Sequence, residues 1–258
     1  MQLEKLIIIC PLIFISGILD AIVGSGALIS IPTYIVSGLP THYAYGTNKF
    51  ASFLGTFTSA VRYIKEKRFD IKSVSIFAII CMIGSAIGSK LTLYLSDIYL
   101  KYILVVILPI LIFLLIIKGN VKDLLNNDNV EVKLPKFKML IFSLIFGLAM
   151  GFYGGFLGVG TTSFLILIFI NFFKLSSVKA CGNARIVNCC LNLVAMSTFL
   201  FSGKIVFEIA IPAAISSMLG NYIGAGLAIK KENKIIKPLF IIIFIVLFIK
   251  LICDLILN

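Results

Sequence analysis

Two cations stand where a charge is costly. Lys49 and Arg185 each lie several residues inside a mostly apolar stretch, roughly 10 Å along a helix from its start. Polar side chains follow each at the same intervals: Ser52 and Thr56 after Lys49, Asn188 and Asn192 after Arg185. That spacing of three and seven residues keeps each set on one helical stripe, with Asn48 beside the first. A cation at the centre of a membrane helix costs on the order of 3 kcal/mol or more, and such residues usually line a polar path. Neutralising a bound anion is the chemistry this suits. The alternatives are snorkelling to the interface or a structural ion pair, for example with Asp20.

Clustered glycines supply a second feature. Gly151, Gly154, Gly155, Gly158 and Gly160 crowd ten residues of an apolar segment, although each glycine in a helix interior costs about 1 kcal/mol relative to alanine. Gly17, Gly24 and Gly26 precede Gly151, Gly158 and Gly160 by 134 residues. The pattern predicts a broken helical hairpin used twice. A half-helix starting at Gly26 or Gly160 would turn unpaired N–H groups and a positive dipole end toward the break. Ser25, Thr161, Thr162 and Ser163 would add hydroxyl donors. The plainer reading, that glycine lets helices pack closely, fits Gly84/Gly88 and Gly220/Gly224 better than the two breaks. Asp20, the one acid well inside an apolar segment, is either a proton-coupling carboxylate or a partner for a nearby cation.

These residues need a membrane around them. The chain has 258 residues, 60% hydrophobic and 13% charged, against about 25% charged in soluble domains. Its mean hydropathy is +1.12. The net charge of +12 sits in short loops without an aromatic-basic module, so nucleic acid is not an expected partner. The six cysteines form no CxxC pair, and His42 has no companion at metal-ligand spacing. No metal or cofactor is therefore expected. HExxH, GxSxG and paired catalytic carboxylates are absent, which argues against an enzyme. The N-terminal apolar run lacks an A-x-A-like site and matches the segment around Gly151, so it reads as part of the fold rather than a signal peptide.

Taken in order, residues 6–37 form a broken stretch, and spans follow near 43–64, 73–95 and 99–117. A polar connection leads to a second broken stretch over 139–173 and to spans near 180–201, 207–229 and 238–257. At an offset of 136, Ala44, Gly46 and Lys49 fall on Ala180, Gly182 and Arg185, and Gly84, Gly88 and Leu91 on Gly220, Gly224 and Leu227. The shift from 134 needs a two-residue insertion in one hairpin. Residues 1–118 and 137–258 thus form two transmembrane repeats joined by a cytoplasmic linker, 119–136. Loops on one side carry 16 Lys and Arg, whereas the other side has only Lys5, Lys101, Lys204 and Lys250. The positive-inside rule then puts both termini outside the cytoplasm and the repeats upside down to one another. The expected fold is an all-α bundle of inverted halves, with eight full spans, or ten if the hairpin arms count separately.

Several stretches resemble the TauE/SafE sulfite-exporter family of membrane permeases, in particular its YfcA-like branch. They are Gly17-Ile18-Leu19-Asp20-Ala21 with Gly24-Ser25-Gly26 and Pro32, then Gly46-Thr47-Asn48-Lys49, and Gly151-Phe152-Tyr153-Gly154-Gly155-Phe156. The resemblance covers nearly the whole chain. Ser25 and Ala27 stand where the family commonly carries glycine, and Thr161-Thr162 is a second departure. The resemblance implies a multi-pass permease of the bacterial inner membrane, handling sulfite, sulfonates or related small organic anions without metal or cofactor. The expected partners are a small anionic solute and the lipid bilayer, with room for a homo-oligomer. The reading is a secondary transporter, with a passive anion channel or a non-transporting membrane subunit as alternatives. Its expected binding set is Lys49, Arg185, Ser25, Gly26, Asn48, Ser52, Gly160, Thr161, Thr162, Asn188 and Asn192, with Asp20 as the proton-coupling candidate.

Overall fold

A computed structural model describes residues 2–106 and 135–230. Helices α1 (Gln2–Val23) and α2 (Ala27–Val36) form the first broken hairpin. α3 (Thr41–Lys65) and α4 (Ile71–Tyr94) follow, and a further helix, α5, runs over 97–106. After the undescribed stretch come α6 (Lys136–Phe156), α7 (Thr161–Asn171), α8 (Ser177–Phe201) and α9 (Phe207–Lys230). No strand occurs among the described residues. The expected span over 99–117 is described only to residue 106. The linker 119–136, but for its last two residues, and the final span near 238–257 lie outside the described residues.

Five helical stretches are long and apolar enough to cross a membrane: Lys5–Ile22, Ile71–Tyr94, Lys136–Phe156, Ser177–Phe201 and Phe207–Ala228. α3 equals α8 in length at 25 residues but is too polar to count by composition. α2 and α7, with 10 and 11 residues, reach only about 15 Å, half of a hydrocarbon core. Apolar side chains at helical spacing point outward from two helices. Ile79, Ile83 and Ile87 do so on α4, and Ile215, Leu219 and Ile223 on α9, all between 44% and 62% exposed. A stripe this apolar faces lipid more comfortably than water.

Helix boundaries recur along the chain. α2 and α7 start 134 residues apart, while α3 and α8, and α4 and α9, begin and end 136 apart. One of the two extra residues lengthens α7 and the other the loop after it. Pro11 in α1 and the π-helical turn Ser143–Gly147 in α6 fall at matching places, and both interrupt the regular hydrogen-bond ladder.

Packing recurs as well. α1 lies along α9 and α6 along α4, while α3 packs on α8 and α9, and α8 on α4. Glycine makes these approaches close. Gly17 lies against Ser217 and Asn221, and Gly151 against Cys81, 136 residues before Ser217. Gly46 meets the backbone of Lys204 just past α8, and Gly182 meets that of Arg68 just past α3. The beginning of each of these two helices therefore lies beside the end of the other: α3 and α8 run antiparallel.

A methyl group at Gly155 would sit 2.8 Å from the Cα of Ser85, with rigid backbone on both sides. Gly203 has a positive φ of 65° but nothing within 4 Å of that position. Gly155→Ala is expected to cost about 1–3 kcal/mol through overpacking, more than the roughly 1 kcal/mol of left-handed strain in Gly203→Ala. Thermal unfolding in detergent measures both, and equal losses would refute the crossing's dependence on glycine.

Candidate functional site

α3 and α8 position the two cations, and each is pinned two residues before its cation. Thr47 Oγ1 accepts from Val206 N–H (3.2 Å), and Asn183 Oδ1 accepts from Asp70 N–H (2.8 Å). Positions 47 and 183 are 136 apart, as are 70 and 206. Each side chain satisfies an N–H just ahead of a long helix, Val206 before α9 and Asp70 before α4. Asn183 also donates to Ser73 Oγ (2.9 Å), whose own N–H and hydroxyl bind the Asp70 carboxylate that caps α4. Lys49 and Arg185 thus emerge from fixed points.

Both cations are 1% exposed, and each reaches a main-chain carbonyl of the opposite broken hairpin. Lys49 Nζ donates to the carbonyl of Gly154 (2.6 Å), near the C-terminal end of α6. Arg185 Nη2 donates to the carbonyl of Asp20, near the C-terminal end of α1. Positions 20 and 154 are again 134 apart. Carbonyls in a last turn form the negative end of the dipole, so a cation is a fitting cap, although the Asp20 carbonyl also keeps its helical partner Gly24 N–H at 2.8 Å. The side chains at these positions differ. Arg185 Nη1 also meets Asp20 Oδ2 at 3.2 Å, whereas Gly154 offers Lys49 no carboxylate. Among the described residues Lys49 has no acidic partner.

The two breaks meet each other. Gly24 and Gly158, 134 apart, both take a left-handed conformation, φ +76° and +75°, which lets the chain turn sharply out of α1 and α6. Gly24 lies against Thr162 and Ser163 at the start of α7. Gly158 lies under the Lys49 ammonium, where a Cβ would come within 2.6 Å of Nζ.

Beside Lys49 is a small polar cavity with about 20 Å³ of free space, room for about one water molecule. Of the expected residues, Lys49, Asn48, Ser52, Gly26, Asn188 and Asn192 line it, as does Asp20. Arg185, Ser25, Gly160, Thr161 and Thr162 do not. Arg185 is turned to Asp20, the ion-pair arrangement that the sequence left open. Thr162 enters indirectly, because its Oγ1 accepts from Asn188 Nδ2 at 2.9 Å. The hydroxyls of Ser25 and Thr161 are buried without a hydrogen-bond partner among the described residues.

Three polar residues of the lining were not foreseen: Ser16 on α1, and Ser217 and Asn221 on α9. Ser16 donates to the carbonyl of Gly26 (2.8 Å) and helps hold the first break. Asn221 Nδ2 donates to the carbonyl of Ser217 (3.0 Å), leaving a buried Oδ1 with no donor among the described residues. The i, i+4 pair Ser217/Asn221 in an apolar span was the available signal. The lining offers a cation, a carboxylate already paired with Arg185, amides and hydroxyls, a set suited to holding a small polar solute. No cluster of three His, Cys, Asp or Glu that could hold a metal occurs among the described residues.

Apolar helices long enough to span a bilayer, enclosing a polar cavity with a buried cation, define a polytopic membrane transporter. Residues 9–251 match the family model described as "Sulfite exporter TauE/SafE", and the chain belongs to that family. It is 30% identical to a probable membrane transporter protein, ORF9, of Sinorhizobium sp, over 93% of this chain and 90% of the relative. A probable membrane transporter of Haemophilus influenzae is 28% identical over 93% of this chain and 92% of its own length. The probable membrane transporter YfcA of Escherichia coli is 27% identical over 93% and 87%. These are transporters rather than enzymes. No solved structure matches the chain.

Removing one partner of a buried pair costs more than removing both. Asp20→Ala, which strands Arg185, is expected to lose about 3–5 kcal/mol. Asp20→Ala combined with Arg185→Leu should regain a measurable part of that loss. Unfolding in detergent decides, and strictly additive effects would show that the pair is not coupled.

Proposed function

We propose that the protein is a secondary transporter that moves small anions, of the sulfite and sulfonate kind, across the bacterial inner membrane. The observation that carries this reading is Lys49: a lysine 1% exposed, without an acidic partner among the described residues, beside a cavity lined by Asn48, Ser52, Asn188 and Asn192. A buried charge of that kind is held at a cost of several kcal/mol unless something compensates it. A bound anion would.

Alternating access between two inverted repeats, 1–118 and 137–258, is the proposed mechanism. The antiparallel course of α3 and α8 supports it, as does the packing of each hairpin on the other repeat. Broken helices meeting near the middle of such a fold are where secondary transporters hold their substrates. The excess of Lys and Arg in one set of loops argues for both termini outside the cytoplasm. Eight full spans, with α2 and α7 as re-entrant arms, fit the short lengths of those two helices. A passive channel on the same fold is less consistent with a cavity holding about one water.

Lys49→Gln keeps an N–H donor on a side chain one atom shorter and removes the charge. In proteoliposomes it is expected to reduce sulfite or sulfonate flux by at least about tenfold while the protein still inserts and elutes as a single species. Wild-type flux in this variant would sink the anion site. Counterflow against a gradient in the wild type separates a transporter from a channel.

A further inference from the structure

We propose that this site selects monovalent over divalent anions, and that the carboxylate at position 20, absent at the equivalent position 154, sets that choice. The inference rests on the anion-transport reading above and adds the charge of the substrate.

Each cation caps the carbonyl at position 154 or 20 of the opposite hairpin, so the backbone treats the two alike. The side chains do not. Asp20 lies 3.2 Å from Arg185 and cancels its charge, while Gly154 leaves Lys49 uncompensated among the described residues. Lys49, Arg185 and Asp20 together carry one net positive charge. Arg185 stands behind Asp20, outside the cavity, and among the described residues every lining residue other than Lys49 and Asp20 is neutral.

Inside a poorly polarisable site that remainder decides which ligand fits. A monoanion closes the charge balance. A dianion leaves one negative charge in excess, close to an Asp20 carboxylate that itself lines the cavity, and like charges brought together without water are strongly disfavoured. A neutral solute leaves Lys49 as costly as before. The divergence at one position after duplication thus acts as a filter on charge.

Methanesulfonate and sulfate test it, being tetrahedral sulfur oxyanions of similar size that differ by one charge. With the full chain in detergent near neutral pH, calorimetry should show methanesulfonate binding on the order of tenfold or more tighter than sulfate. Asp20→Asn, which raises the site charge by one, should move that ratio toward sulfate by a similar factor. Gly154→Asp gives Lys49 the carboxylate that Arg185 already has. The nearest atoms to a Cβ there are side-chain atoms, Leu191 Cδ1 at 2.9 Å and Thr161 Cγ2 at 3.1 Å, rather than backbone, and the variant should abolish methanesulfonate binding in a protein that still elutes as a single species. Equal affinity for both anions in the wild type, or preference for sulfate, overturns the charge filter and leaves the anion site standing. An unchanged ratio in Asp20→Asn likewise removes Asp20 from the role. Should that variant not fold, the wild-type ratio and Gly154→Asp decide. Binding of neither anion, nor of chloride or acetate, overturns the underlying anion reading along with the filter.

Discussion

A charge removed from water has to be answered by something nearby, and two such charges organise this molecule. Lys49 and Arg185 are each 1% exposed. Neither can reach water by extending along its own helix, because each is held across the bundle on a carbonyl of the other repeat's hairpin. The Gly154 carbonyl is free for Lys49 because α6 stops where it does, whereas the Asp20 carbonyl accepts from both Gly24 N–H (2.8 Å) and Arg185. At α6 a continuous helix would have used that carbonyl in its own ladder, so there the helix break and the buried cation are two sides of one arrangement.

The same dependence explains where glycine is indispensable. A left-handed turn at Gly24 and Gly158 ends each half-helix in time to free its last carbonyls. At Gly158 a second constraint is added, since the Lys49 ammonium occupies the space a side chain would need. Gly46 and Gly182 serve a different purpose. They let α3 and α8 approach the chain beyond one another's ends, so that Thr47 and Asn183 can satisfy the N–H groups of Val206 and Asp70. One cross-linking pattern, laid down twice, fixes the height of both cations.

Much of this was legible in the residues because the same spacings occur twice along the chain. The offsets of 134 and 136 mark equivalent glycines and equivalent cations, and the helix boundaries recur at the same intervals. The stripe from Lys49 through Ser52, and that from Arg185 through Asn188 and Asn192, could be read from helical spacing alone. Three-dimensional choices could not. Sequence spacing treats Lys49 and Arg185 as equals, yet only the packing of Asp20 against one of them makes the first face the cavity and retires the second into an ion pair. Ser25 and Thr161 were expected to present hydroxyls at the breaks, but helix packing buries them away from the cavity. Ser16, Ser217 and Asn221 escaped because single hydroxyls and amides in apolar spans are common, and which helix face turns inward depends on neighbours far along the chain.

Anchoring Lys49 on α6 and Arg185 on α1 also constrains how the cavity can open. With room for about one water, the cavity must widen before anything larger enters it. Widening by moving one hairpin alone would pull a carbonyl off Lys49 or Arg185 and leave a buried donor unmatched, which is expensive in a low dielectric. Moving α3 together with the second hairpin, or α8 together with the first, keeps those bonds intact. The hydrogen bonds of Thr47 and Asn183 extend the same logic to α9 and α4, which they tie to α3 and α8. But α1 packs closely on α9 and α6 on α4, so these ties cross-connect the bundle, and widening the cavity has to loosen either a cation's bond or one of those glycine-lined packings.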